Sequence, residues 1–546
     1  MMALDEVYTL LRDRWGLEFD RVRAVVHALG SGATVDELVA RCEVSQRAIA
    51  EILDHLQPFV CHNGDQIRLT CAARDPAAAL FGVPRDRRDP WGELARQHPA
   101  LPRVVADLQR RPVPNRHLDH VAATAVTVVK RALFLSHRFD LAGANVLMMG
   151  DHDMTALALA YVEPNVDIAV VDMDERVLAF VDDVRRRREW PIEPHFADLR
   201  LELPRSLVGR FDLVFTDPPY TEPGMKLFLL RSIQALNERA FSRIGCAYGV
   251  GEQQVALGFK VQTVLNELRL VIEAIEPGFN QYEHAPALGN RSDFYLLRPT
   301  RRSSAAAKRW TGAGNIYTRG HGAEESPSPS IPPPLLDRLG RFAAGVEHSL
   351  AVAADQKQLS AVPATERLTL ATYLTTNNLG RFRQTVIASL YPNHADYLAR
   401  LCLRSQAADL AICAAQRAVA DLFAHQSALL QLIDSRFELV DRQQQGNVGA
   451  VFLTRRFVND VDDDVVYVLH GIFARPKARL INAWRESLIA WSKTQGGVLT
   501  KNEARRIISA SSLAAYYPSN DIADLPGIAL TRLLDDVATS IASVRR

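Results

Sequence analysis

The chain lacks several features, and each absence excludes something. No run of eighteen apolar residues occurs in its 546 residues, so no membrane span is expected. The amino terminus, MMALDEVYTLLRDRWG, carries acids and has no signal-peptide core, which gives a cytoplasmic reading. The six cysteines (Cys42, Cys61, Cys71, Cys246, Cys402 and Cys413) include no C-x-x-C pair. That spacing argues against a zinc site and for reduced thiols. Excess charge of either sign is missing too: 64 Lys and Arg face 63 Asp and Glu, for a net +1. A dedicated nucleic-acid binder would be more basic. The length calls for about two to four domains rather than one core.

The most informative segment is Phe211–Gly224, FDLVFTDPPYTEPG. Phe211 to Phe215 reads as a strand, apolar except for Asp212, and it breaks on Asp217-Pro218-Pro219-Tyr220. Two prolines stiffen the turn and end the ladder. A carboxylate and an aromatic ring are thereby presented at the carboxyl end of a strand, where open α/β sheets bind ligands. Asp217 is suited to accept hydrogen bonds from an amine, and Tyr220 to pack on it.

Upstream, Ala144–Asp153 (ANVLMMGDHD) reads as a strand and tight turn, followed by the buried-type strand Val166–Asp172 (VDIAVVD). Strand, turn, helix, strand and acidic residue open a nucleotide-binding sheet, and Asp172 falls where a ribose-binding carboxylate is expected. The phosphate fingerprint G-x-G-x-x-G is missing. Gly150 is followed by Asp151, His152 and Asp153, and acids there oppose a pyrophosphate, which argues against NAD and ATP. A cationic nucleoside such as a sulfonium fits instead. Asp151 and Asp153 would also oppose the carboxylate of S-adenosylmethionine, whereas its decarboxylated form ends in an amine. Asp151, Asp153, Asp172, Asp198 and Asp217 together match aminopropyl transfer between cationic partners. For Asp151 alone, capping of the helix Thr155–Tyr161 is a sufficient explanation.

These motifs resemble the branched-chain polyamine synthases, the aminopropyltransferases of thermophiles. The family's Gly-Asp-Asp-Asp turn appears as Gly150-Asp151-His152-Asp153. Its second acidic motif appears as Asp172-Met173-Asp174-Glu175-Arg176, and its Asp-Pro-Pro-Tyr-Thr as Asp217-Pro218-Pro219-Tyr220-Thr221. Ser292–Thr300 and Ile316-Tyr317-Thr318-Arg319 are similar as well, so the likeness covers roughly residues 1–320. It implies decarboxylated S-adenosylmethionine as co-substrate, a polyamine or other amine as acceptor, no metal, and a homodimer. By this resemblance Asp153 maps onto the base, with Asp151 orienting, Asp217 holding the amine and Tyr220 walling the site. Gly150, Asp151, Asp172, Asp198, Asp217 and Pro218 would bind the nucleoside. His152, Asp153, Asp217, Tyr220 and Glu222 would meet the acceptor. His152 replaces an acid of the family turn, which removes a charge that a second amine could pair with.

The expected architecture is multidomain α/β. Residues 1–75 read as a winged helix, with a Thr34/Glu37 capping box, a helix capped by Ser45 and a hairpin at Asn63-Gly64. Its third helix has one Arg and two acids, which suits dimerisation or a lid better than DNA. Residues 76–300 read as a connector, with a helix at His117–Leu135, and a Rossmann-like methyltransferase-type sheet whose late strands lie near Leu268–Ile275 and Phe294–Arg298. Residues 301–335, with SPSPSIPPP, read as a flexible linker. Residues 336–546 read as a mainly helical domain, with helices at Leu368–Thr375, Asp396–His425 and Pro476–Gln495 and strands at Arg436–Val440, Ala450–Thr454 and Asp464–Leu469. This domain is expected to be separable and to carry no catalytic motif. Two competing readings remain: an S-adenosylmethionine-dependent amino-methyltransferase acting on nucleic acid or another amine, because Asp-Pro-Pro-Tyr also marks those enzymes, and a winged-helix regulator that senses polyamine without turnover.

Overall fold

A computed structural model of the chain describes residues 3–84, 89–237, 241–250, 255–283, 285, 289–309, 316–318, 330–353, 356–376, 379–390, 395–423, 428–456, 463–475, 478–522 and 524–546. Two compact units emerge. The first takes Met1–Val166, Asp212–Ile233 and Glu238–Trp310; the second takes Asp167–Phe211, Gln234–Asn237 and Thr311–Arg546. Among the described residues, no helix is long and apolar enough to cross a membrane.

In the first unit, helices Leu4–Trp15, Phe19–Ser31, Val35–Cys42 and Gln46–Leu56 precede a hairpin of Val60–Asn63 and Gln66–Leu69. The Thr34/Glu37 capping box forms, with Glu37 N–H donating to Thr34 Oγ1 at 3.2 Å and Thr34 N–H donating to Glu37 Oε2 at 2.9 Å. Val22, Val25, Leu29, Leu38, Ile49 and Ile52 form the core of this part. Helix Ala125–Arg138 comes after it in the chain.

The strands Asn145–Met149, Leu213–Thr216 and Arg243–Tyr248 run parallel to one another. Arg291–Pro299 then pairs antiparallel with Arg243–Tyr248 and with Leu270–Gln281. This antiparallel end is the mark of a methyltransferase-type Rossmann-like sheet. Met149 pairs with Thr216, so the Gly150 turn and the Asp217 turn leave the sheet side by side. Thr216 Oγ1 secures the pair by donating to Met149 O at 3.0 Å. The one polar residue of the Phe211–Phe215 run, Asp212, accepts from Asn145 N–H at 3.0 Å.

In the second unit, the parallel strands Asp167–Asp172 and Ile192–Phe196 flank helix Glu175–Arg188. The C-terminal half contributes to the polar core of this pair. His195, wholly buried, places Nδ1 2.7 Å from Asp524 Oδ2. Tyr517 OH donates to Asp182 at 2.7 Å, and Asn520 Nδ2 donates to Pro194 O at 3.1 Å.

The remainder holds many helices, and its strands are more numerous and differently placed than the sequence reading expected. It holds a six-stranded sheet in the order Glu366–Thr369, Ser349–Ala353, Gln384–Ser389, Asp409–Ala415, Val448–Arg455, Phe437–Gln445. The expected helix Asp396–His425 is in fact helix Ala395–Arg404, strand Asp409–Ala415 and helix Gln416–Leu422. The strand, DLAICAA, is a short apolar run covered by neighbours on both edges, and such a run has no period that separates strand from helix. The reverse error falls at Asp464–Leu469. That segment lies in helix Asp464–Phe473, started by Asp463, whose Oδ1 accepts from Val465 N–H at 2.8 Å. Within the expected linker, Arg301–Arg309 and the start of Pro333–Ala343 are helical, whereas residues 310–315 and 319–329, with most of the Ser/Pro tract, lie outside the described residues.

Candidate active site

The centre of the site is a residue the motifs did not indicate. Arg131, on helix Ala125–Arg138, is fully buried. Its Nη1 donates to Asp153 Oδ2 at 2.7 Å and its Nη2 to Asp217 Oδ2 at 2.7 Å. Its Nε donates to Asn280 Oδ1 at 2.8 Å. One guanidinium therefore bridges the carboxylates of both acidic turns. Two buried like charges repel strongly unless a cation lies between them. Arg131 supplies that cation, and His152 Nε2 lies 3.4 Å from Asp153 Oδ1.

The two carboxylates are not equivalent. Asp153 has both oxygens engaged: Oδ2 by Arg131, and Oδ1 by Ala123 N–H at 2.7 Å with His152 Nε2 at 3.4 Å. Burial pushes its carboxyl up, but His152, Arg131 and the Ala123 N–H outweigh that and hold it below the usual range. Asp217 is raised, by burial first and then by Asp153, against the pull of Arg131. Its Oδ2 accepts from Arg131 and from Tyr282 OH at 2.8 Å, while its Oδ1 has, among the described residues, a long contact of 3.4 Å with Tyr220 OH. Tyr220 OH donates to Tyr282 OH at 3.0 Å, and Tyr282 OH lies 2.8 Å from Ser292 Oγ. Burial, then the Asp217 charge, push both phenols far up, so they stay neutral donors.

Gly150 takes φ +73°, and an added Cβ would lie 3.2 Å from Phe228; only glycine suits this position. His152 stacks flat on His120, centroids 4.3 Å apart, with Nε2 2.9 Å from Val121 O. Asp151 takes the role of a helix cap. Its Oδ1 accepts from Thr155 N–H at 2.7 Å and its Oδ2 from Ala156 N–H at 2.9 Å. Burial nevertheless pushes its carboxyl up to about 7, against those two donors. A folded-state value above the ordinary 3.8 means that the native state holds the extra proton between about pH 4 and pH 7. Stability from this group therefore falls as pH rises through that window. Urea midpoints of wild type and Asp151→Asn are expected to differ in slope there, wild type losing ground to the variant as pH rises; parallel profiles would contradict this.

Pro218 is buried in the turn. Glu222 is not drawn into the Arg131 cluster: it opens helix Glu222–Ala235 and lies 3.7 Å from Lys260. Asp172 and Asp198 belong to the second unit, both buried. Asp172 Oδ1 accepts from Asp174 N–H at 2.8 Å. Asp198 is gripped by Arg200, through Nε at 2.9 Å and Nη2 at 2.7 Å. Sequence reasoning missed Arg131, Asn280 and Tyr282. A signal for Arg131 existed, a Lys130-Arg131 pair inside the apolar stretch TAVTVVKRALFL.

Sheet and turns together define a Rossmann-like, methyltransferase-type α/β fold whose strand ends carry carboxylates in place of a glycine-rich phosphate loop. Residues 100–316 match the family described as the branched-chain polyamine synthase A C-terminal domain. Among curated relatives, an uncharacterised protein of Methanocaldococcus jannaschii is 35% identical over 190 residues, covering 35% of this chain and 48% of that protein. The N(4)-bis(aminopropyl)spermidine synthases of M. jannaschii and Thermus thermophilus are each 32% identical, over 33% and 34% of this chain and 52% and 54% of theirs. The chain spans about half the length of the curated relatives it matches. The crystal structure of the branched-chain polyamine synthase from T. thermophilus, in complex with N4-aminopropylspermidine and 5'-methylthioadenosine, is similar at 24% identity and a TM-score of 0.44, covering 59% of this chain and 96% of that one.

Proposed function

We propose that the chain is an aminopropyltransferase that moves the aminopropyl group of decarboxylated S-adenosylmethionine to an amine of a polyamine or similar acceptor. The observation that carries this reading is the shared guanidinium: two carboxylates from adjacent strand ends, one of them in the DPPY turn, with Arg131 between them. Such a site stabilises a cationic amine and a sulfonium, and it opposes the carboxylate of intact S-adenosylmethionine. The match over residues 100–316 to the polyamine synthase family supports it.

The acceptor nitrogen must lose a proton to gain a lone pair. Asp217 is the better acceptor, because it is raised and its Oδ1 is lightly engaged; a raised carboxylate accepts a proton more readily. The nitrogen then attacks the carbon next to sulfur, the C–N bond forms, and the C–S pair stays on methylthioadenosine. In this assignment Asp153 is the fixed counter-charge, Asp151 orients the turn by capping its helix, and Tyr220 walls the site. Gly150 and Pro218 border the nucleoside, Asp172 takes its ribose and Asp198 its adenine amine. His152 sets the acceptor end, with Glu222 at its outer edge. The helices and hairpin of residues 4–69 support a winged helix, to which we assign dimerisation or a lid role by the family resemblance, and the unpaired cysteines suit the cytoplasm.

Calorimetry with both cofactors tests the electrostatic argument. The decarboxylated form is expected to bind at least about tenfold more tightly, because one carboxylate beside a buried carboxylate costs more than one factor of ten. Equal affinities would remove the case against methyl transfer.

A further inference from the structure

The C-terminal half has no counterpart in the matched region, yet part of it grips the acidic motif after the Asp167–Asp172 strand. Glu175 occupies the first turn of helix Glu175–Arg188. Arg400, from helix Ala395–Arg404, is almost fully buried, and its Nη2 donates to Glu175 Oε1 at 2.6 Å and to Leu525 O at 2.6 Å. Gly527 N–H donates to the other oxygen, Oε2, at 2.8 Å. A Cβ on Gly527 would lie 3.2 Å from the Glu175 carboxylate, a tight contact. Both Glu175 oxygens are thus held by the C-terminal half.

That grip reaches Asp172 through the backbone. Asp174 caps the helix, with Oδ1 accepting from Arg176 N–H at 3.0 Å, and its own N–H fixes Asp172 Oδ1. Moving Glu175 moves the turn whose N–H aims the Asp172 carboxylate. At the neighbouring strand end the Arg400 guanidinium sits 3.6 Å from the Phe196 ring centroid, and Tyr397 packs on the same ring at 6.0 Å. Burial, and after it the Asp198 charge, push the Tyr397 hydroxyl well above its ordinary range. Removing one partner from an ion pair this dry leaves the other charge buried and uncompensated.

We propose that the C-terminal half is a clamp for nucleoside binding, in which Arg400 and Gly527 act as positioning residues that hold Glu175, and through it the Asp172 turn, in the geometry that receives the ribose. The clamp rests on the aminopropyl-transfer reading of the site. It gives the unit a defined effect on cofactor affinity rather than on the acceptor or the chemical step.

The test uses the full chain, with methylthioadenosine as the calorimetric probe. Arg400→Gln and Glu175→Gln are each expected to weaken binding by about tenfold, because a misplaced Asp172 forfeits its charge-assisted hydrogen bond to the ribose. Arg400→Lys should restore part of the loss. KM for decarboxylated S-adenosylmethionine should rise in step, with kcat at saturation nearly unchanged. If Arg400→Gln fails to fold, Glu175→Gln, which keeps size and shape, carries the test. Folded variants with wild-type affinity for methylthioadenosine would overturn the clamp, as would a fall in kcat alone. Wild type that binds methylthioadenosine but releases none would sink the functional reading and leave the clamp standing on affinity. Wild type that binds no nucleoside would overturn both.

Discussion

Replacing Arg131 with Met is expected to destabilise the fold by about 3–5 kcal/mol, the usual cost of removing one partner from a buried ionic group. Met fills similar volume, so the loss reports charge rather than a cavity. Asp153 and Asp217 would remain buried with no cation between them, and Asn280 Oδ1 would lose its donor. The pH dependence identifies the cause. In wild type, Asp153 is held below its ordinary range, so its contribution is present at neutral pH and is lost as pH falls through the folded value. Without Arg131 both carboxyls shift upward, the native state takes up protons, and the variant gains relative stability on acidification. The gap between the two urea curves should therefore be widest near neutral pH and narrow toward about pH 4. A loss under about 1 kcal/mol at neutral pH would mean that the carboxylates do not depend on this guanidinium.

The second large effect concerns the proton. Asp217→Asn should lower kcat by about 10²–10⁴-fold, the ordinary contribution of a general base, while methylthioadenosine binding persists. Asp153→Asn should be milder in turnover and harsher in stability, because Asp153 is the more fully engaged partner of Arg131, with Ala123 N–H on its other oxygen. The motif likeness alone points the other way, to Asp153 as base. If Asp153→Asn abolishes turnover and Asp217→Asn does not, the family-based assignment is right and the geometric one fails. The rate of wild type should rise with pH as Asp217 ionises and the acceptor amine loses its proton.

The acidic turns were legible because each lies within a few residues of its own strand. Gly150–Asp153 and Asp217–Tyr220 announce themselves by strand periodicity and by the glycine and prolines that break it. Their adjacency came with the fold class, and the Met149–Thr216 register delivers it. Arg131 was not legible in the same way. It comes from a helix 86 residues before Asp217, and nothing local distinguishes a core arginine from a solvated one except its apolar neighbours. Tyr282 and Asn280 reach the site by a long antiparallel return. In the C-terminal half the failure was one of period: DLAICAA and SLAVA are buried strands made of small residues, which alternate with nothing. VVYVLHGIF has β-branched residues enough for a strand, yet the Asp463 cap and its burial make it a helix.

The central claim is that an aminopropyl group, and not a methyl group, is transferred. The direct measurement is to incubate the full chain separately with S-adenosylmethionine and with its decarboxylated form, each with a panel of di-, tri- and tetra-amines, and to identify the nucleoside released. Methylthioadenosine, formed only with the decarboxylated cofactor and in step with a lengthened amine, is the predicted result. S-adenosylhomocysteine with a methylated product would contradict it.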